Sequence, residues 1–218
     1  DWQRGLAVAH NRVGGVLQAQ GQLDAALRAY TEDLAISRRL VDLDPGNADW
    51  QRGLAVAHNR VGGVLQAQGQ LDAALRAYTE DLAISRRLVD LDPGNADWQR
   101  GLAVAHNRVG GVLQTQGQLD AALRAYTEDL AISRRLVDLD PGNATWQRDL
   151  AATCEHLAGL EAARGKPQAA VALCEEASQV LAALTETLPA THPWRSDKER
   201  VDLWLAHYRA LVADDNSG

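Results

Sequence analysis

Residues 1–48 read DWQRGLAVAHNRVGGVLQAQGQLDAALRAYTEDLAISRRLVDLDPGNA, and residues 49–96 repeat them without a change. A third copy, 97–144, differs only at Thr115, which stands where the others have alanine. Residues 145–192 have drifted but keep the register, since Trp146, Gly165 and Pro189 each follow Trp98, Gly117 and Pro141 by 48 residues. Trp194 opens a fifth cycle that ends after one helix's length. Self-similarity at a period of 20–50 residues marks a stacked array, because one such unit cannot bury its apolar surface alone.

Within a block the punctuation is simple. Pro45-Gly46-Asn47 is one turn and Gly21-Gln22 another, and the stretches between them, roughly 1–20 and 23–44, contain no proline. Asn47 and Asp49 are both suitable N-caps for the next block's first helix. At about 100° per residue, Trp2, Leu6, Ala9, His10, Val13, Val16 and Leu17 share one side of the first helix. Arg4, Val8, Asn11, Gly15, Gln18 and Gln22 gather opposite. The second helix has one apolar stripe at Leu23, Ala26, Leu27, Tyr30, Leu34 and Val41, and another at Ile36, Leu40 and Leu43. Two apolar stripes imply two neighbours, the helix before and the repeat after.

The expected fold is therefore an all-α solenoid of antiparallel helix pairs. It comprises repeats at 1–48, 49–96 and 97–144, a degenerate repeat at 145–192, and a capping helix at 193–214, nine helices in all. Asp197, Lys198, Glu199 and Arg200 make the last helix polar enough to close an apolar end. A disordered tail is expected at 215–218. Nothing covers the first repeat in the sequence as it stands, so its outer face is expected to be bare. The absence of methionine and the start in register with the repeat suggest a fragment of a longer protein.

These residues resemble the tetratricopeptide repeat family. Gly14, Gly21, Ala26, Tyr30 and Pro45 occupy the family's small-residue, turn, alanine, aromatic and junction-proline positions, and do so again in the next two blocks. Two features depart from the pattern. The repeat exceeds the usual 34 residues by 14, and His10 stands where the family often has tryptophan. Lengthened members of the kinesin light chain type are more similar. The resemblance implies a right-handed superhelix whose first helices line a concave groove that takes up protein segments.

Composition limits the alternatives. The 38 alanines and the absence of phenylalanine suit thin, closely packed helices. A formal net charge of −7 speaks against nonspecific nucleic-acid or membrane-surface binding, which needs a basic footprint. No apolar run approaches the roughly 18 residues of a membrane span. No signal peptide is visible, and a cytoplasmic location is expected. His10, His58, His106, His156, His192 and His207 are isolated or a whole repeat apart, so no metal site is expected. Cys154 and His156 point apart on their helix. Lacking a phosphate loop, a nucleophile elbow or a zinc-protease motif, the chain reads as a non-enzyme without cofactor.

Several repeated residues are candidates for a role. Trp2, Trp50, Trp98, Trp146 and Trp194 read as wedges between repeats. Gly14 reads as a close approach of the two helices. Gly15 either leaves room for a ligand backbone or is simply tolerated. Pairing Gly14 with Ala26 in antiparallel helices sets His10 against Tyr30, and likewise for Tyr78 and Tyr126. In the fourth block those two positions are Cys154 and Cys174. A disulfide there is conceivable, but two reduced, buried thiols suit a cytosolic chain better.

The candidate groove is the stripe Arg4, Asn11, Gln18, repeated as Arg52, Asn59, Gln66 and as Arg100, Asn107, Gln114. Arg12, Arg60 and Arg108 flank it. Guanidinium and amide groups at seven-residue spacing suit the backbone and carboxylates of an extended peptide, although a solvated helix face is the plainer reading. The stripe becomes Arg148, Glu155, His156 and Ala162 in the fourth block, so the groove is expected to turn acidic there. Alanine at Asn11, Asn59 and Asn107 is expected to weaken a groove ligand and leave folding largely intact. The leading functional expectation is a protein-interaction scaffold or sensor module. A structural spacer that self-associates head to tail through its first repeat, and an engineered array without natural ligand, are the alternatives.

Overall fold

The structure, a computed structural model, describes residues 2–186, 189 and 192–215. Among them are nine helices and no strand. They are α1 (Trp2–Ala19), α2 (Leu23–Leu43), α3 (Ala48–Ala67), α4 (Leu71–Leu91), α5 (Ala96–Thr115), α6 (Leu119–Leu139), α7 (Ala144–Ala163), α8 (Pro167–Thr185) and α9 (Pro193–Asp215). Two compact units contain them, residues 1–118 with α1–α5 and residues 119–218 with α6–α9. Within each unit every helix packs on its neighbours in sequence. The nine expected helices are all present among the described residues, the last of them α9. Asp215 belongs to α9 rather than to a tail, and residues 216–218 lie outside the described part.

The turns follow from a few residues. Gly21 ends α1 at φ +74, where a side chain would be strained, and Gly69, Gly117 and Gly165 repeat that geometry. The Gly21 amide donates to the Gln18 carbonyl at 3.0 Å and the Gln22 amide to Leu17 at 2.9 Å, which satisfies the last turn's carbonyls. At the other turn Asp44 Oδ1 accepts from the Gly46 amide at 3.2 Å. Asn47, not Asp49, is the N-cap of α3, its Oδ1 accepting from the Trp50 amide at 3.1 Å. Asn95 and Asn143 do the same for Trp98 and Trp146.

The core of the first unit lies along the faces where consecutive pairs meet. Ala26, Tyr30, Val61, Val64 and Ala77 form one cluster, with Leu23, Leu27 and Leu34 packed on it. Trp50 packs on Ala7, Ile36 and Leu40, and Trp98 on Leu54, Ala55, Ile84 and Leu88, so each ring touches residues of the preceding helix pair. Trp2, at the same position of the first copy, is 74% exposed. A register bond accompanies the packing, from Gln68 Nε2 to Asp24 Oδ1 at 2.7 Å and again from Gln116 to Asp72.

The close approach of paired helices expected at Gly14 is made by Tyr30. Tyr30 lies over Gly14, where a methyl group would sit 2.6 Å from the ring's Cε1, and its hydroxyl donates to Gln18 Oε1 at 3.1 Å. Helical side chains lean toward their own N-terminus, and in an antiparallel pair that carries the Tyr30 ring toward the end of α1. Gly15 meets nothing closer than the tyrosine hydroxyl at 3.7 Å, so packing does not require a glycine there.

Candidate functional site

The heptad spacing of Arg4, Asn11 and Gln18 places them along one side of α1, but α2 claims two of the three. Asn11 Nδ2 donates to Asp33 Oδ2 at 3.0 Å, and Gln18 accepts from Tyr30. In the second copy Asn59 donates to Asp81 Oδ2 at 2.9 Å and Gln66 accepts from Tyr78 at 3.0 Å. Ser37 and Ser85 complete each acid's shell from one turn along, at 3.2 Å and 3.1 Å. The carboxylates are buried, with Asp33 and Asp81 both 5% exposed. Burial pushes Asp33 above the usual carboxylate range and Asp81 up to about 6, against the opposing pull of the asparagine and serine donors.

These aspartates escaped the reading of the sequence, which sorted the second helix by its apolar residues. Their signal is positional: Asp33 and Ser37 fall on the stripe that also holds Ala26, Tyr30 and Leu40. The asparagines consequently tie the two helices of a pair together. Alanine at Asn11 or Asn59 would strip a partner from a buried acid, so the expectation of undisturbed folding does not stand.

The arginines of the stripe remain available. Arg4, Arg12, Arg52 and Arg60 are exposed and, among the described residues, no carboxylate pairs with them. Arg4 and Arg12 from α1 and Arg52 from α3 line a cavity of about 380 Å³ that also reaches Asn11, Asp33, Ser37 and Trp50. Val8 and Val56, 45% and 43% exposed, give it an apolar floor. On α5, Arg100, Asn107 and Gln114 keep the same spacing, and Arg108 is exposed with its charge felt by Asp81.

In the second unit the stripe is not acidic at its surface. Glu155 is 8% exposed and both its oxygens accept from Arg200 of α9, at 2.8–3.1 Å. Arg148 lies 3.5 Å from Asp197 and 5.9 Å from the Trp194 ring centroid, and His156 stacks on Tyr126 at 5.1 Å. The expected acidic end is thus closed by a cation that arrives 45 residues later in the chain. The acid of α6, Asp129, is 3% exposed and accepts from Ser133 at 3.0 Å and from Thr153 at 2.7 Å.

Cys154 and Cys174 are buried free thiols, and a charge on Cys174 would be felt at Cys154. Burial raises both, Cys174 to about 11, which keeps them protonated and slow to react at neutral pH. Around them the repeat has changed in concert. Cys174 replaces the tyrosine, Ala158 fills the place of Gly14, and Ala162 replaces the glutamine that received the tyrosine's hydroxyl. Among the described residues no three histidine, cysteine or carboxylate side chains are grouped to hold a metal, and no helix is long and apolar enough to cross a membrane.

Comparison with known proteins matches this geometry to one family. A family model for the tetratricopeptide repeat matches residues 6–45, 54–93, 102–141 and 150–193. No curated protein sequence matches the chain. Among solved structures, a Podosopora anserina protein assigned as a kinesin light chain, with nearly identical TPR-like repeats, is similar with a TM-score of 0.63 and 18% identity, over 99% of each chain. BtubC (BKLC) from P. vanneervenii is similar with a TM-score of 0.63 and 16% identity, over 99% of this chain and 83% of that one. The apo form of RapI gives a TM-score of 0.64 at 14% identity, over 98% of this chain and 54% of RapI. At such identities the likeness concerns the fold.

Proposed function

This chain belongs to the tetratricopeptide repeat family, whose members are in general protein-interaction scaffolds, and on that premise we propose that it takes up an extended, acidic peptide segment across the face that carries Arg4, Arg12 and Arg52. The observation that carries the reading is the cavity between α1 and α3, where three exposed guanidiniums stand around two exposed valines. Guanidinium forks suit carboxylates and peptide carbonyls, and Val8 and Val56 offer a site for an apolar side chain between them. Asn11 and Gln18 act here as supports, holding α1 on α2 so that the arginines project from a fixed wall. Arg60 and Arg108 continue the basic row along α3 and α5.

The test is fluorescence anisotropy with labelled synthetic peptides that alternate glutamate with leucine or tryptophan. Saturable binding that weakens as salt rises is expected. Joint replacement Arg4→Gln, Arg12→Gln and Arg52→Gln is expected to cost at least tenfold in affinity with an unchanged melting temperature, because all three side chains are exposed. Unchanged affinity in that variant would remove the cavity from the binding site.

A further inference from the structure

The fifth position of the repeat is Gly5, Gly53 and Gly101 in the three like copies, and Asp149 and Asp197 in the two cycles that follow. Gly53 is exposed near the start of α3 and lines the arginine cavity. A methyl group on it would meet nothing within 4 Å, and one on Gly101 of α5 would meet only Ser85 Oγ at 4.0 Å. A glycine inside a helix costs stability relative to alanine, and here no packing neighbour asks for one.

At the last junction the same place is filled. α9 follows α7 and α8 as α3 follows α1 and α2, so Arg148, Trp194 and Asp197 correspond to Arg4, Trp50 and Gly53. Asp197 meets two guanidiniums: Oδ2 lies 3.5 Å from Arg148 Nε, and Oδ1 accepts from Arg200 Nη1 at 3.0 Å. Its side chain is only 19% exposed. In the first cavity Arg4 and Trp50 are both present, and Arg12 and Arg52 provide the further guanidiniums. The two acids that line it do not take the place of Asp197: Asp33 is bound by Asn11 and Ser37, and Asp49 forms no ion pair with these arginines among the described residues.

We propose that Gly53 is the specificity-determining residue of the arginine cavity: by carrying no side chain it keeps open the seat of one ligand carboxylate, a seat that the chain's own Asp197 takes at the last junction. This rests on the peptide reading above and deepens it, because it assigns one aspartate or glutamate side chain of the segment to the space over Gly53, beside Arg4. Glycine at the fifth position makes a junction that takes up an acidic group from outside. Aspartate there makes one whose arginine is satisfied from within, and the bond joins the helix pair to the helix that follows. Gly101 stands at the corresponding place on α5 and is replaced together with Gly53 in the test.

The test uses the full chain and the same labelled glutamate–leucine peptide. The joint variant Gly53→Asp, Gly101→Asp is expected to lose at least about tenfold in affinity, without a fall in melting temperature, since each introduced carboxylate reaches a guanidinium as Asp197 reaches Arg148. Thr31→Asp with Thr79→Asp adds the same two charges at exposed sites of α2 and α4 that do not line the cavity. At physiological salt that control is expected to bind within about threefold of the parent. The proposal is overturned if the glycine variant binds within about threefold of the parent, or if it melts well below it, because the space then does not accept a carboxylate. It is also overturned if the threonine variant loses as much affinity, which would reduce the effect to overall charge. A parent chain that does not bind the peptide, or that ignores the triple arginine replacement, would instead remove the peptide reading itself, and the seat with it.

Discussion

Gly62 and Tyr78 divide one space between them: a methyl group on Gly62 would sit 2.7 Å from the ring's Cε1. Gly62→Ala gains about 1 kcal/mol of helix propensity but forces a buried ring aside, which ordinarily costs about 1–3 kcal/mol. A net loss is expected in a urea midpoint, and the double variant Gly62→Ala, Tyr78→Cys is expected to tolerate the methyl, since the fourth repeat carries Ala158 with Cys174. A stabilised Gly62→Ala would mean that the ring does not rest there. Asp81 carries a second expectation. Its folded value of about 6 lies above the ordinary 3.8, so the folded state holds the proton longer than the unfolded chain. Its contribution is full below pH 3.8 and is lost as pH rises through about 6, by about 3 kcal/mol at most. Asp81→Asn is expected to remove that downward slope from denaturation curves taken between about pH 4 and pH 7, and parallel slopes would assign the proton elsewhere. Neither feature was legible in the sequence in full. Spacing along the helices gave the proximity of Gly14 to the second helix, but the lean of the tyrosine and the burial of an acid among leucines depend on side-chain direction.

Helix boundaries, by contrast, could be read almost to the residue, because glycine at positive φ and the proline turn leave the backbone few ways to continue. The same is true of α9 as a closing helix. Val201 is fully buried and Leu205 and Tyr208 nearly so, while Leu203 stays outside. What the sequence did not disclose is that α9 also closes the stripe's charge. Arg200 meets Glu155, and Ser178 donates to Asp202 at 2.6 Å, from partners 45 and 24 residues away. Periodicity within one helix carries no information about such distant pairing. Arg200→Ala leaves Glu155 buried without its cation, and a loss of about 2 kcal/mol is expected, below the range for fully buried pairs because the guanidinium is half exposed. Adding Glu155→Gln is expected to recover part of that loss in thermal melts. If both variants melt like the parent, α9 is held by its apolar face alone.

Identical copies let the molecule serve as its own control at the largest scale. Residues 8–17, 56–65 and 104–113 are the same ten letters, so peptic fragments spanning them have one mass. Their intrinsic exchange rates are also one set, and any difference in amide exchange must come from the neighbours that each copy has. The copies in α3 and α5 each have the preceding helix packed against them, whereas the outer face of α1 is bare. In a stack whose stability is a sum of unit and neighbour contributions, the helix lacking one neighbour opens at lower cost. Hydrogen exchange read on that shared fragment is therefore expected to split into two mass envelopes, about one third exchanging fast and two thirds slowly. A single envelope would show that covering the valines adds nothing to local stability.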